Sequence, residues 1–318
     1  MTMDAIYVFG SMARRTSDAI SDRDVLIVSD NTVFRTRESE NWRRRGWSVA
    51  AYTPRRFSQM ADSGSLFVQH IKQEGLPVAD QNGLLSDLLA SYKPKADYSA
   101  GISNSLQMLR LIERVRTGAV EGYWTCDILH TMLRNALILR LANEGEYLFS
   151  IGALGERLQS MGMLDAADLQ VLAHLREAKA AYRARRFSGV DIGTTIDGTL
   201  RIVEKVFRIG VQRNLPTERE YLRFAEPYYQ LRSAEKFLIE NGVDVHTARR
   251  DFRLSKLWRM IAEPRWYSWQ VRQAVRLQDG WTGEMERAHS LALQAANASR
   301  LPLQDFVREN SQRLARAG

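Results

Sequence analysis

Two aspartates, Asp22 and Asp24, stand directly before the apolar run "VLIV", and a Gly10-Ser11 pair closes an earlier apolar run, "AIYVF". Carboxylates this close disfavour each other's ionisation, and a cation placed between them removes that cost. Oxygen ligands select a hard ion such as Mg²⁺, which also accepts phosphate oxygens. Glycine lets a backbone approach a phosphate closely, and free amides at a following helix start would point donors at it. Arg14 and Arg15 add positive charge beside the same turn. The pattern therefore points to a polyphosphate gripped by Gly10, Ser11, Arg14 and Arg15. Asp22 and Asp24 would hold two divalent ions for in-line phosphoryl transfer, Mg²⁺ with Mn²⁺ as the substitute.

Those residues need a scaffold of short buried strands and tight turns. Strands are expected at 5–10, 24–29 and 47–53, with a last short one in "LPVAD". A helix is expected to begin near Met12, with Asp22 and Asp24 on one face of the second strand, since alternate residues of a strand share a face. Pro54 suits the first position of a helix, and Ser65 and Gly75 suit the cap and the end of another. The polar run "RESENWRRRG" leads into the third strand.

From Asp97 onward apolar residues recur at helical spacing in about five segments, through "GTTIDGTLRIVEKVFRIGVQR". Pro94 marks a linker and Pro216 a weaker boundary. The expected organisation is an α/β domain over 1–92 (a mixed sheet flanked by helices), an all-α helical bundle over 97–214 and a C-terminal helical region over 215–318. The net charge of +8 lies outside the first segment: residues 1–92 carry 11 Lys+Arg against 11 Asp+Glu, whereas 93–214 and 215–318 each carry 17 against 13. This mild excess, mostly arginine, favours nucleotide or nucleic-acid partners. A single cysteine, Cys126, excludes an intrachain disulfide and fits a reducing cytoplasm as a small core residue. No stretch is long and apolar enough for a membrane span, so no membrane association is expected.

Gly10-Ser11, Ala13-Arg14 and Ser21-Asp22-x-Asp24 followed by "VLIV" together resemble the Gly-Ser…Asp-x-Asp signature of the DNA polymerase β-like nucleotidyltransferase superfamily, in particular its minimal and kanamycin-type bacterial members. The resemblance implies a nucleoside triphosphate substrate, two Mg²⁺ ions, a hydroxyl acceptor and release of pyrophosphate. The motif covers residues 6–28, with looser likeness to about residue 80. Active members of that family carry a third carboxylate on a later strand. Here the strand is "WSVAAYT", with no acid, leaving Asp62, Glu74 and Asp80 as substitutes. The basic helical half favours a nucleotide or oligonucleotide acceptor, hence template-independent oligonucleotide synthesis; by the same resemblance antiphage defence is a context. Nucleotidylation of a protein or tRNA, and non-catalytic nucleotide binding with a protein partner or as a homo-oligomer, are the alternatives.

Other candidates have plainer explanations. His70, beside Phe67, Val68 and Ile71, reads first as a packed residue and second as one facing the nucleotide. No histidine has an arginine five to seven positions before it, which disfavours a helical-domain ribonuclease. Residues 248–281 interleave arginines with Trp258, Trp266, Tyr267, Trp269 and Trp281, a stacking surface for single-stranded nucleic acid or else a helical core.

Overall fold

The computed structural model describes residues 4–112, 119–184 and 189–209, together with positions 232, 235, 236 and 290. The aromatic and arginine-rich segment 248–281, and nearly all of 215–318, lie outside the described residues. Two compact units divide the chain. The first joins residues 1–107, 130–180 and 201–208; the second joins 108–129, 181–200 and 209–318.

In the first unit, β1 (Asp4–Phe9), β2 (Asp24–Ser29), β3 (Ser48–Tyr52) and β4 (Leu76–Asp80) form a mixed sheet in the order β3-β2-β1-β4. β1 runs antiparallel to β2 and β4, and β2 runs parallel to β3. Period-two alternation sorts the side chains onto two faces. Ala5, Tyr7, Phe9, Leu26 and Val28 pack on Phe57 of α2 (Pro54–Asp62), Val68 and Ile71 of α3 (Leu66–Glu74) and Leu85 and Leu89 of α4 (Leu84–Ser91). Ile6, Val25 and Ile27 face the other way, toward Phe34 and Trp42 of α1 (Thr32–Arg44). Thr53 caps α2 with Pro54 at its first position; Ser65 caps α3, and Gly75 ends it.

One expectation is corrected and one gap is filled. No helix follows Gly10-Ser11: residues 10–15 are a hydrogen-bonded turn, with the Arg14 amide on the Gly10 carbonyl at 3.1 Å and the Thr16 amide on Ser11 at 3.0 Å. Arg15 stops it at φ 59°, and such a left-handed residue cannot propagate a right-handed helix. The polar run before β3, to which the sequence pattern assigns no element, forms most of a helix, α1. Its only buried residue is Ser39, so the apolar stripe that normally announces a helix is nearly missing.

Helices supply the rest: α5 (Ser99–Leu106), α6 (Ala119–Asn143), α7 (Ile151–Ser160), α8 (Ala166–Ala184) and α9 (Ile192–Phe207). In the first unit Leu133, Leu137 and Leu141 of α6, Leu154 and Leu158 of α7, and Leu172 and Leu175 of α8 are buried. The stretch around Pro94 is pinned, because the Tyr92 hydroxyl donates to the Ser65 carbonyl at 2.8 Å and the Tyr98 hydroxyl to the Gly64 carbonyl at 2.9 Å. In the second unit Cys126 is buried, and that burial, with Asp127 beside it, pushes its thiol up to about 12, as suits an inert core residue. No helix among the described residues is long and apolar enough to cross a membrane.

Candidate functional site

The site lies at the end of the sheet where β1 leaves and β2 enters. Phe9 and Asp24 are ladder partners, so the Gly10 turn and the aspartate are held side by side by backbone hydrogen bonds. Gly10 sits at φ +72°, and a Cβ there would come within 3.2 Å of the Asp24 carboxylate. Glycine is needed twice over, for the backbone conformation and for the approach.

Asp24 alternates with Leu26 and Val28, which puts it on the sheet face covered by α3. Burial raises its pKa first, and the charge of Asp22 raises it further; a hydrogen bond from Ser48 and the charges of His70 and Arg134 act in the opposite direction. Ser48 is its register partner on β3. The position opposite Asp24 thus carries a hydroxyl that donates to it.

Asp22 is not part of β2, contrary to the same-strand expectation. It precedes the first ladder pair and lies in a loop, its side chain 72% exposed. That loop is organised by its own side chains and by α8. The Ser11 hydroxyl donates to the Asp22 carbonyl at 3.2 Å, and Lys179 Nζ stands 3.7 Å from Asp22 Oδ2. Asp18 accepts from Arg176 through two bonds, at 2.7 and 2.8 Å, while Arg176 also reaches Ser21 Oγ at 3.1 Å.

The two arginines of the turn separate. Arg15 is exposed. Arg14 donates from Nη1 to Glu74 Oε2, and the same carboxylate oxygen lies 2.8 Å from His70 Nε2. Glu74 is held below the ordinary glutamate range: burial opposes this, and the His70 and Arg14 contacts outweigh it. His70 is stacked on Phe149 at 4.2 Å and meets the edge of Phe9 at 5.3 Å. Of the three acids considered as substitutes, Glu74 is the one brought to this end of the sheet. Asp80 is engaged by the Tyr7 hydroxyl at 2.8 Å and by the amides of Leu85 and Ser86 at the start of α4, and Asp62 is exposed.

Sequence reasoning missed Ser48, Arg134, Arg176 and Lys179. Arg134 of α6 fixes its guanidinium on the Phe149 carbonyl, at 3.0 and 2.7 Å, and its charge is felt by Asp24. It in turn senses Asp22 and Glu74. No local signal marks these residues; Ser48 comes from the neighbouring strand β3, and Arg134, Arg176 and Lys179 arrive from helices far along the chain. The assembled site sets the carboxylates of Asp18, Asp22, Asp24 and Glu74 against the cations Arg14, Arg134, Arg176 and Lys179.

The donor set suits a hard divalent ion. Asp22 and Asp24 offer carboxylate oxygens, and burial together with the charge of Asp22 disfavours the ionised form of Asp24, a cost that a dication would relieve. Two aspartates leave most positions of an octahedral Mg²⁺ shell to water and substrate oxygens. No family model matches the chain, and no curated protein or solved structure matches it.

Proposed function

We propose that the chain is a metal-dependent nucleotidyltransferase that moves a nucleoside monophosphate from a triphosphate to a hydroxyl acceptor and releases pyrophosphate. The observation that carries this reading is the apposition of Gly10 and Asp24: a left-handed glycine leaves open backbone beside a half-buried carboxylate whose charge is disfavoured by a second one. Packing alone gives no reason to keep that arrangement.

Each residue has a role in this account. The turn amides after Gly10 and the Ser11 hydroxyl bind terminal phosphate oxygens. Asp22 and Asp24 would hold Mg²⁺, which when bound supplies charge neutralisation along the polyphosphate and polarises the reacting phosphorus. Arg14, paired with Glu74, acts by positioning that acid and His70. Arg134 and Lys179 keep the aspartates compensated between turnovers. Oligonucleotide synthesis without a template is the preferred product, because the chain is basic outside the sheet domain.

A second reading has its own support. β3 carries Ser48 opposite Asp24 and no carboxylate along its length, which supports a chain that binds nucleotide without turning it over. Incubating the purified protein with each α-labelled nucleoside triphosphate and Mg²⁺ or Mn²⁺ separates the cases. A product ladder supports polymer synthesis, a labelled polypeptide or tRNA supports target modification, and binding without product supports the second reading. Asp22→Ala and Asp24→Ala are each expected to lower transfer at least about a thousandfold, about 4 kcal/mol of barrier. Undiminished turnover in either variant contradicts the assignment.

A further inference from the structure

We propose that Arg176 is a positioning residue for Asp22, acting through a clamp on the loop between the Gly-Ser turn and β2; this rests on the aspartate-pair reading above.

Asp24 and Asp22 are placed by different means. Asp24 is fixed by ladders on both sides, to Phe9 and to Ser48. Asp22 precedes both ladders and needs another anchor. Within its loop, Asp18 Oδ1 accepts from the Ser21 hydroxyl at 2.7 Å and from the Ile20 amide at 3.2 Å, and Ser21 Oγ accepts from the Asp18 amide at 3.0 Å. This closed turn ends one residue before Asp22. Arg176 grips it from α8 with a fork of two bonds to Asp18 and a third to Ser21.

An exposed single ion pair does little to hold a loop, but a bidentate guanidinium joined to a carboxylate with further hydrogen bonds restricts geometry as well as charge. The contact holds the Asp18 carboxyl well below its ordinary range. Arg176 touches neither Asp24 nor the Gly10 turn in this arrangement; its contacts are with the loop. Groups that orient a metal ligand from behind typically change metal affinity by about 10–100-fold.

The test uses the full chain and Mn²⁺ alone, followed by electron paramagnetic resonance of the free ion, with amide exchange over residues 16–23 in the metal-free protein. Arg176→Ala is expected to weaken Mn²⁺ binding about tenfold and to speed exchange in the loop. The thermal midpoint should stay within about 2 °C, because an exposed pair adds little to global stability. Asp18→Asn must do the same, and the double variant must be no worse than either single one. Arg176→Lys, with one point charge in place of a fork, must fall between. The proposal is overturned if Arg176→Ala binds Mn²⁺ like the parent while Asp22→Ala does not, or if the Asp18 and Arg176 effects add in full. If Asp22→Ala itself keeps full affinity, the aspartate-pair reading fails and the clamp falls with it.

Discussion

Asp24 in the first unit and Asp127 in the second are both sheltered aspartates, and the fold treats them in opposite ways. Asp127 is fully buried and bonded at both oxygens. Arg183 spans its two oxygens at 2.8 and 3.0 Å, and Arg232 adds a contact of 2.5 Å while lying over the Trp124 ring. Arg232 also meets Glu235 at 3.1 Å, and Glu235 accepts from the Tyr182 hydroxyl at 2.5 Å. Asp24 has a neighbouring acid, one hydroxyl donor and arginine charge at a remove. A carboxylate closed off by arginines on both oxygens is a structural joint, with little accepting capacity left for a ligand. One that is buried, crowded by like charge and bordered by open glycine backbone retains capacity for a cation.

The contrast can be broken at either end. The largest effect is expected from Asp127→Ala, which leaves the buried Arg232 with Glu235 and the half-buried Arg183 without this acid. Loss of about 3–5 kcal/mol of stability is expected, read by chemical denaturation, with the aspartate pair's Mn²⁺ affinity unchanged under folding conditions. A loss below about 1 kcal/mol would remove the distinction. The smaller and opposite effect is expected from Asp24→Asn. A carboxyl whose pKa is raised on folding binds its proton more tightly in the native state than in the unfolded one. Its contribution to stability therefore declines as pH rises from the ordinary carboxylate range through the raised value. Removing the charge should make the metal-free variant more stable than the parent at neutral pH, by about 1 kcal/mol or roughly 2–4 °C in the thermal midpoint. The gain should vanish toward about pH 4. A variant less stable at pH 7 would mean that Ser48 and Arg134 already compensate the charge in full.

The sheet is legible in the sequence because each strand is a short apolar run bounded by turn residues; "AIYVFG", "DVLIVS", "WSVAAYT" and "LPVAD" all correspond to observed strands. Local capping chemistry likewise announces α2 and α3. Where tertiary structure overrides pattern, the reading fails. α1 is a helix with almost no apolar stripe, and the Gly-Ser turn goes no further than one hydrogen-bonded loop because Arg15 is left-handed. The site divides in the same way. Gly10, Ser11, Asp22 and Asp24 are adjacent along a hairpin and so visible as a motif. Arg134, Arg176 and Lys179 reach it from α6 and α8, and nothing in their own neighbourhoods distinguishes them from surface arginines and lysines. Arg14 sits beside the turn as expected, and its pairing with Glu74 is a contact that spacing alone does not announce.

Glu74, Asp18 and Asp22 each stand against a cation, whereas Asp24 meets arginine charge only at a remove, so a metal and a polyphosphate each bring charge that the other offsets. The two together match the site, so each should strengthen the other's binding. The most direct measurement is Mn²⁺ affinity with and without a non-hydrolysable nucleoside triphosphate analogue, in the parent and in Asp24→Asn. The account predicts at least a tenfold gain in Mn²⁺ affinity on adding the analogue to the parent, and no such gain in the variant. Equal Mn²⁺ binding by the two proteins, with the analogue present, would contradict it.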